Sequence, residues 1–196
     1  MDDRGAGQRP GAYIGGFRSG TTLLINLLGL HPEITAWFET KFLPEALRWM
    51  KVQREPETVD MESRLCAPPS PPGFAVEPVT RRMRLQMEYD EARLRGLSPS
   101  GKRDYEIYPL GADRIHYSLA EALGALDNWQ GSLSDPPDCE SLGRALAALV
   151  ADLAARQLQA EPAPLLINKT PELPRFGGEM RSCLGPHKMI MMVRDG

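Results

Sequence analysis

The sequence is poor in the residues that build several common kinds of site. It has three cysteines in 196 residues, Cys66, Cys139 and Cys183, and they lie far apart. Three widely spaced cysteines form neither a disulfide framework nor a paired-cysteine zinc site, so we expect free thiols in a reducing compartment. Only three histidines are present, and no His, Cys, Asp or Glu cluster has metal-ligand spacing. No metal site is therefore predicted.

The sequence also lacks a long apolar run and an excess of basic residues. The longest early apolar run, from Leu23 to Leu30, is interrupted by Asn26 and is too short to span a bilayer. The N-terminus has no apolar core of the signal-peptide kind. The net charge of −3 argues against a general nucleic-acid binder. These absences predict a cytoplasmic globular protein that binds neither membrane nor nucleic acid.

Short apolar segments alternate with amphipathic ones, which predicts an α/β fold. Residues 1–11 are polar and glycine-rich and predict a disordered tail, followed by a single domain over 12–196. The predicted strands cover 12–16, 34–37, 164–168 and 188–193, and the predicted helices cover 21–30, 42–52, 79–95, 117–126 and 136–159. The last two strands are continuously apolar, as in a central parallel sheet with helices on both faces. We therefore expect a three-layer α/β/α domain.

A glycine-rich segment follows the first predicted strand. Residues 15–22 read GGFRSGTT and fit the spacing of the phosphate-binding P-loop, G-x-x-x-x-G-K-[ST], except that Thr21 replaces the Lys. Glycines let successive backbone N–H groups turn inward, and the helix that starts near Thr21 directs its positive end at an anion. The predicted anion site comprises Gly16, Phe17, Arg18, Ser19, Gly20, Thr21 and Thr22, with Arg18 as its cation.

The replacement of that Lys narrows the choice of ligand. In nucleotide triphosphatases the Lys reaches the β- and γ-phosphates. Its absence disfavours triphosphate hydrolysis and phosphoryl transfer, and an Arg in the loop suits a donor with a shorter anionic chain. Two alternatives stay open: a P-loop kinase or nucleotidase, and a non-catalytic nucleotide-binding module.

Two further predicted strands end at a basic residue. Lys169 follows the strand PLLIN, and Arg194 follows the strand MIMMV. In open parallel sheets, ligands bind outside the carboxyl ends of the strands. Together with Arg18, these residues predict three cations around one ligand, although any one of them alone is better explained as the point where a strand reaches solvent.

These three segments resemble sulfotransferases. The run RSGTTL after an apolar strand is similar to their 5′-phosphosulfate-binding loop, MMVRDG is similar to their 3′-phosphate motif, and NKTP at 168–171 is similar to an element of the tyrosylprotein-sulfotransferase group. The resemblance implies a P-loop-like sulfotransferase fold and 3′-phosphoadenosine-5′-phosphosulfate as co-substrate, with no metal. It also implies that Arg194 contacts the 3′-phosphate and that Lys169 neutralises the sulfate and the bridging oxygen.

The resemblance further implies a general base. Residues 18–41 follow the tyrosylprotein-sulfotransferase pattern without a gap, and Glu39 falls on the catalytic Glu of that group. Two positions depart from the pattern, since Lys41 replaces an Arg and Phe38 replaces an acidic residue. Phe38 bears on the recognition of a peptide substrate more than on the chemistry. The other interpretation of Glu39 is a surface carboxylate at a helix start. His31 is an alternative base, but its position after a helix end favours a capping role.

The expected reaction is in-line sulfuryl transfer to the hydroxyl of a small molecule, carbohydrate or peptide. Glu39, Lys169 and Arg18 are its catalytic residues. The resemblance covers about residues 12–50 and 163–196, and the helix and basic loop that complete the family's donor site would follow Gly196. We therefore expect an incomplete domain, whose last strand leaves apolar surface open to association between copies.

Overall fold

The computed structural model describes residues 11–16, 19–38, 40, 42–54, 80, 81, 83–85, 87, 88, 117–133 and 139–193, with the backbone alone described at 38, 52–54 and 139. The predicted tail therefore lies outside the described residues, apart from Gly11. Of the predicted helix at 79–95, the residues that are described are all helical. Phe17, Arg18, Glu39 and Arg194, four of the predicted site residues, also lie outside.

The four strands and the first four described helices follow the predicted order, whereas the helix and the 3-10 turn between the last two strands were not predicted. The strands are β1 (Ala12–Gly15), β2 (Ile34–Phe38), β3 (Leu165–Lys169) and β4 (Lys188–Met191). The helices are α1 (Thr21–Leu28), α2 (Phe42–Arg54), α3 (Leu119–Gly131), α4 (Cys139–Ala160) and α5 (Gly177–Leu184), with a 3-10 turn at Leu173–Phe176. Gly29 is the C-cap of α1, so this helix ends at Leu28, two residues before the predicted end at residue 30. α3 begins two residues later than predicted, because Ser118 forms a capping box with Glu121.

The four strands form one parallel sheet in the order β2-β3-β1-β4. This confirms the predicted α/β class and the parallel sheet. Parallel neighbours require crossover connections, which α1 and the later helices provide. The C-terminal ends of all four strands therefore lie along one edge of the sheet.

Side chains alternate between the two faces of the sheet, and each face packs against helices. Ile14, Ala36 and Ile167 pack with Ile25 of α1 on one face. The opposite face contributes Tyr13, Trp37 and Leu166 to the larger core, which α2, α3, α4 and α5 complete. The predicted apolar stripe of α4 is buried in this core; it consists of Leu142, Leu146, Leu149, Val150 and Leu153.

One strand departs from the prediction that apolar strands are covered on both faces. In β4, Ile190 is 38% and Met191 is 62% exposed, and Val193 beyond it is also exposed. On the surface of α1, Leu23 and Leu27 are exposed as well. Composition predicted an apolar strand correctly, but burial depends on which element packs against it. Within the described part of the chain, none of the helices combines the length and the hydrophobicity that a membrane span requires.

Candidate functional site

The register of the sheet aligns the strand ends that carry the predicted residues. Lys169, the last residue of β3, pairs with Phe38 of β2 on one side and with Ile14 of β1 on the other. Ile14 in turn pairs with Ile190 of β4. Neighbouring strands lie about 4.8 Å apart. Lys169 therefore lies between the end of β1, which leads to the glycine turn, and the end of β2, which Thr40 follows two residues later.

The glycine turn after β1 depends on backbone conformations that favour glycine. Gly16 has φ 126°, and a Cβ at this position would overlap the carbonyl oxygen of Met192 and the hydroxyl of Ser19. Gly20 has φ 83° and is the N-cap of α1, where it offers no capping side chain. Since the first N–H groups of a helix have no intrahelical acceptor, the start of α1 can donate to an anion.

Backbone hydrogen bonds hold this turn between the segments that follow β3 and β4. The Gly16 N–H donates to the carbonyl of Pro171 at 3.1 Å. On the other side, the Met192 N–H donates to the carbonyl of Gly15 at 2.9 Å. Met192 is two residues before Arg194, so the backbone that leads to this predicted cation lies against the glycine turn.

The three hydroxyl residues of the turn have different surroundings. Thr21 is buried, and its hydroxyl donates to the carbonyl of Gly16 at 3.4 Å, which ties the start of α1 to the start of the turn. The hydroxyl oxygen of Ser19 is buried and has no hydrogen-bond partner among the described residues. Thr22 is half-buried. A buried hydroxyl without a partner costs free energy, and an anion in the turn would satisfy the Ser19 donor.

Lys169 is the most deeply buried charged residue among those described, at 2% exposure. Strand alternation places it on the face of the sheet that α1 covers, together with Ile14 and Ile167. Lysine is rarely buried unless an anion or a polar group accompanies it. Its position beside the glycine turn is consistent with a role in binding negative charge.

A ring of buried hydrogen bonds lies next to Lys169 and joins β3 to the segment after β2. The amide of Asn168 donates to the hydroxyl of Thr40 at 3.0 Å, and the hydroxyl of Thr170 donates to the side-chain oxygen of Asn168 at 3.0 Å. The two threonine oxygens are 3.2 Å apart. The Thr40 N–H also donates to the Thr170 hydroxyl at 3.0 Å. All three side chains are buried.

The structure thus brings six of the predicted residues to one sheet edge: Gly16, Ser19, Gly20, Thr21, Thr22 and Lys169. Glu39 precedes Thr40 of the ring by one residue. The alternative base, His31, lies before β2 and hence at the opposite edge of the sheet. Its Nδ1 accepts a hydrogen bond from the Glu33 N–H at 3.2 Å, and the C-cap of α1 is Gly29 rather than His31.

Sequence reasoning did not assign a role to Asn168, Thr40 or Thr170. One sequence pattern could have indicated their role: two polar residues flank Lys169 at the end of an otherwise apolar strand. Polar side chains in a buried strand need partners, so this pattern indicates a polar network. The partner Thr40 could not be identified, because it is 130 positions away from Thr170 in the sequence.

A cavity of about 510 Å³ lies on the other face of the sheet, beside β4. It is lined by Pro174, Gly177, Arg181, Pro186, His187, Met189 and Met191. Strand alternation separates Met189 and Met191 from the face that carries Lys169. Among the described residues, no group of three or more His, Cys, Asp or Glu side chains is placed to hold a metal ion.

Compared with protein-family models, curated proteins and solved structures, the chain matches none of them. The geometry at this sheet edge and the short motifs that resemble sulfotransferases are therefore the basis of the functional conclusion.

Proposed function

We propose that this protein is a sulfotransferase, which moves a sulfuryl group from 3′-phosphoadenosine-5′-phosphosulfate to a hydroxyl acceptor. The observation that carries the proposal is the row of aligned strand ends. Lys169 pairs with Ile14, which precedes the glycine turn, and with Phe38, which precedes Glu39 in the sequence. A donor-binding turn, a cation and a candidate base thus belong to three adjacent strands. The strand order and the turn after β1 fit a P-loop-like fold.

The residues of the glycine turn fit the 5′-phosphosulfate of this donor. The uncapped start of α1 supplies backbone N–H groups, and Ser19 supplies a buried hydroxyl without a partner among the described residues. Thr21 stands where a triphosphatase has its Lys, and its hydroxyl donates within the turn. These features favour a short anionic group over a triphosphate.

The proposed reaction is a direct displacement at sulfur. The acceptor oxygen forms a bond to sulfur while the bond between sulfur and the 5′-phosphate oxygen breaks. The proton of the acceptor goes to the carboxylate of Glu39, which acts as general base. The electron pair of the broken bond stays on the phosphate, and Lys169, Arg18 and the backbone N–H groups of the turn stabilise its charge.

Arg194 completes the proposed donor site. It follows the strand next to β1, and the backbone two residues before it is hydrogen-bonded to Gly15. We assign it to the 3′-phosphate, because the resemblance to sulfotransferases gives this role to the Arg of MMVRDG. The acceptor is a small-molecule, carbohydrate or peptide hydroxyl.

Transfer of radiolabelled sulfate tests the proposal. The full chain and its Glu39→Gln variant are incubated with labelled 3′-phosphoadenosine-5′-phosphosulfate and, in turn, 2-naphthol, N-acetyltyrosinamide or N-acetylglucosamine. We expect labelled ester with at least one acceptor, and a rate that falls by about 10²- to 10⁴-fold in the variant. The variant should bind 3′-phosphoadenosine-5′-phosphate as the wild type does. Donor binding without transfer to any acceptor would instead support a non-catalytic nucleotide-binding module.

A further inference from the structure

We infer that Asn168, Thr40 and Thr170 are positioning residues, which hold the segment containing Glu39 in a fixed place relative to Lys169. This inference rests on the proposed function, in which Glu39 is the base and Lys169 neutralises the transferring group. It concerns three residues that touch neither donor nor acceptor in that proposal. Their effect on the reaction would be transmitted through the backbone of their neighbours.

The hydrogen bonds of the ring run in one direction. The hydroxyl proton of Thr170 is directed to the side-chain oxygen of Asn168. Since a hydroxyl has one proton, the bond between the two threonine oxygens must use the proton of Thr40. The Thr40 oxygen in turn accepts from the Asn168 amide. Each of the three side chains therefore both donates and accepts, and the ring is closed.

The Asn168 amide spans the residues on both sides of the candidate base. Besides the Thr40 hydroxyl, it donates to the backbone carbonyl of Trp37 at 3.3 Å. Trp37 and Thr40 are the residues on either side of Phe38 and Glu39. One side chain of β3 therefore fixes both ends of the two-residue stretch that contains Glu39.

The same ring flanks the candidate cation. Asn168 and Thr170 are the sequence neighbours of Lys169, and the Thr170 N–H donates to the carbonyl of Ile14 at 3.0 Å. The strand that leads to the glycine turn is thus joined to the ring as well. The residues that flank Phe38 and Glu39, together with Lys169 and the end of β1, are therefore joined to one hydrogen-bonded frame.

The burial of the ring makes it sensitive to the loss of one member. All three residues are at most 3% exposed, so a missing partner leaves buried polar groups that water cannot satisfy. A complete buried network rigidifies its surroundings, whereas a broken one does not. A displacement of a catalytic group by about 1 Å can reduce a rate by about 10²-fold. Breaking the ring should therefore affect the transfer step more than donor binding.

Threonine-to-valine substitution in the full chain tests this inference. Thr170→Val keeps the shape of the side chain and removes the hydroxyl, whereas Thr170→Ser keeps the hydroxyl. Transfer from labelled donor to the best acceptor of the wild type is measured, with folding checked by circular dichroism. We expect kcat to fall about 10- to 100-fold in Thr170→Val, with the donor KM within about 3-fold of wild type, and rescue by Thr170→Ser. Should Thr170→Val fail to fold, Thr40→Val and Thr40→Ser form the second pair.

A combination with Glu39→Gln separates positioning from a general loss of structure. If the ring acts through Glu39, the double variant Glu39→Gln/Thr170→Val should transfer as slowly as Glu39→Gln alone. An unchanged kcat in both valine variants would overturn the inference while the proposed function stands. So would a double variant whose fold-loss in kcat equals the product of the two single losses. A wild-type chain that transfers nothing would overturn the proposed function, and this inference with it.

Discussion

The two outer strands of the sheet, β2 and β4, have opposite surroundings. In β2, Thr35, Ala36 and Trp37 are almost completely buried. Two hydrogen bonds tie this strand to the end of α4, one from the Gln157 side chain to the Ala36 carbonyl at 3.4 Å and one from the Thr35 hydroxyl to the Glu161 carbonyl at 2.5 Å. Within the described residues, β4 pairs only with β1, and most of its side chains are exposed.

The two sides of the sheet therefore differ in how well their side chains are covered: those of β2 are buried, whereas most of those of β4 are exposed. On the β2 flank, packing and the buried ring hold Trp37 and Thr40, the described residues on either side of Phe38 and Glu39 in the sequence. On the β4 flank, the Met192 N–H bond to Gly15 joins the strand end to the glycine turn, while the side chains of β4 itself are poorly covered. Substitutions of residues in β2 or packed against it should therefore reduce stability and transfer strongly. Substitutions of β4 side chains should reduce both weakly.

The largest expected difference in stability lies between Ile14 and Ile190, which are register partners on one face of the sheet. Ile14 is 0% and Ile190 is 38% exposed. Ile14→Ala should lower the free energy of unfolding by about 2–5 kcal/mol, because it leaves a cavity in a closed core. Ile190→Ala should cost less than about 1 kcal/mol, because its site is already partly hydrated. Urea unfolding measures both, and equal losses would contradict the poor coverage of β4 relative to the buried strand β1 beside it.

A smaller effect is expected where the glycine turn meets the segment after β4. Gly16→Ala should lower the free energy of unfolding by about 1–3 kcal/mol through backbone strain, and its Cβ would displace Met192. Bisphosphate binding should weaken with it. The matched control is Gly124→Ala in α3, where a Cβ meets nothing within 4 Å. This control should gain about 0.5–1 kcal/mol, because alanine is the better helix former. A neutral Gly16→Ala would show that the turn does not need this conformation.

The smallest expected effect on the free energy of unfolding is at the exposed start of α3, away from β2 and β4. The hydrogen bond from the Ser118 N–H, followed by that from the Ser118 hydroxyl, lowers the pKa of Glu121. A lowered pKa in the folded state stabilises the protein above the pKa of the unfolded chain, and this contribution disappears as the pH falls through the folded value. The stability advantage of wild type over Glu121→Gln should therefore shrink between about pH 7 and pH 3. An advantage that stays constant in urea unfolding would contradict the assignment.

Local patterns predicted much of the fold and part of the site. The glycine spacing predicted the turn and the start of α1, and an apolar run ending at Lys169 predicted β3 and its cation. Two features needed information that is not local. The Asn168 ring depends on the pairing of β2 with β3, whose members are about 130 positions apart in the sequence. The exposure of β4 depends on which elements pack against it, whereas its apolar composition predicted burial.

Isothermal titration calorimetry of the full chain tests whether the glycine turn binds the nucleotide of the proposed donor. The protein is titrated with 3′-phosphoadenosine-5′-phosphate without metal and, separately, with ATP and magnesium, and both titrations are repeated with Arg18→Ala. We expect the bisphosphate to bind to the wild type and Arg18→Ala to abolish this binding. Binding of ATP with magnesium but not of the bisphosphate would contradict this expectation and would favour a P-loop kinase or nucleotidase.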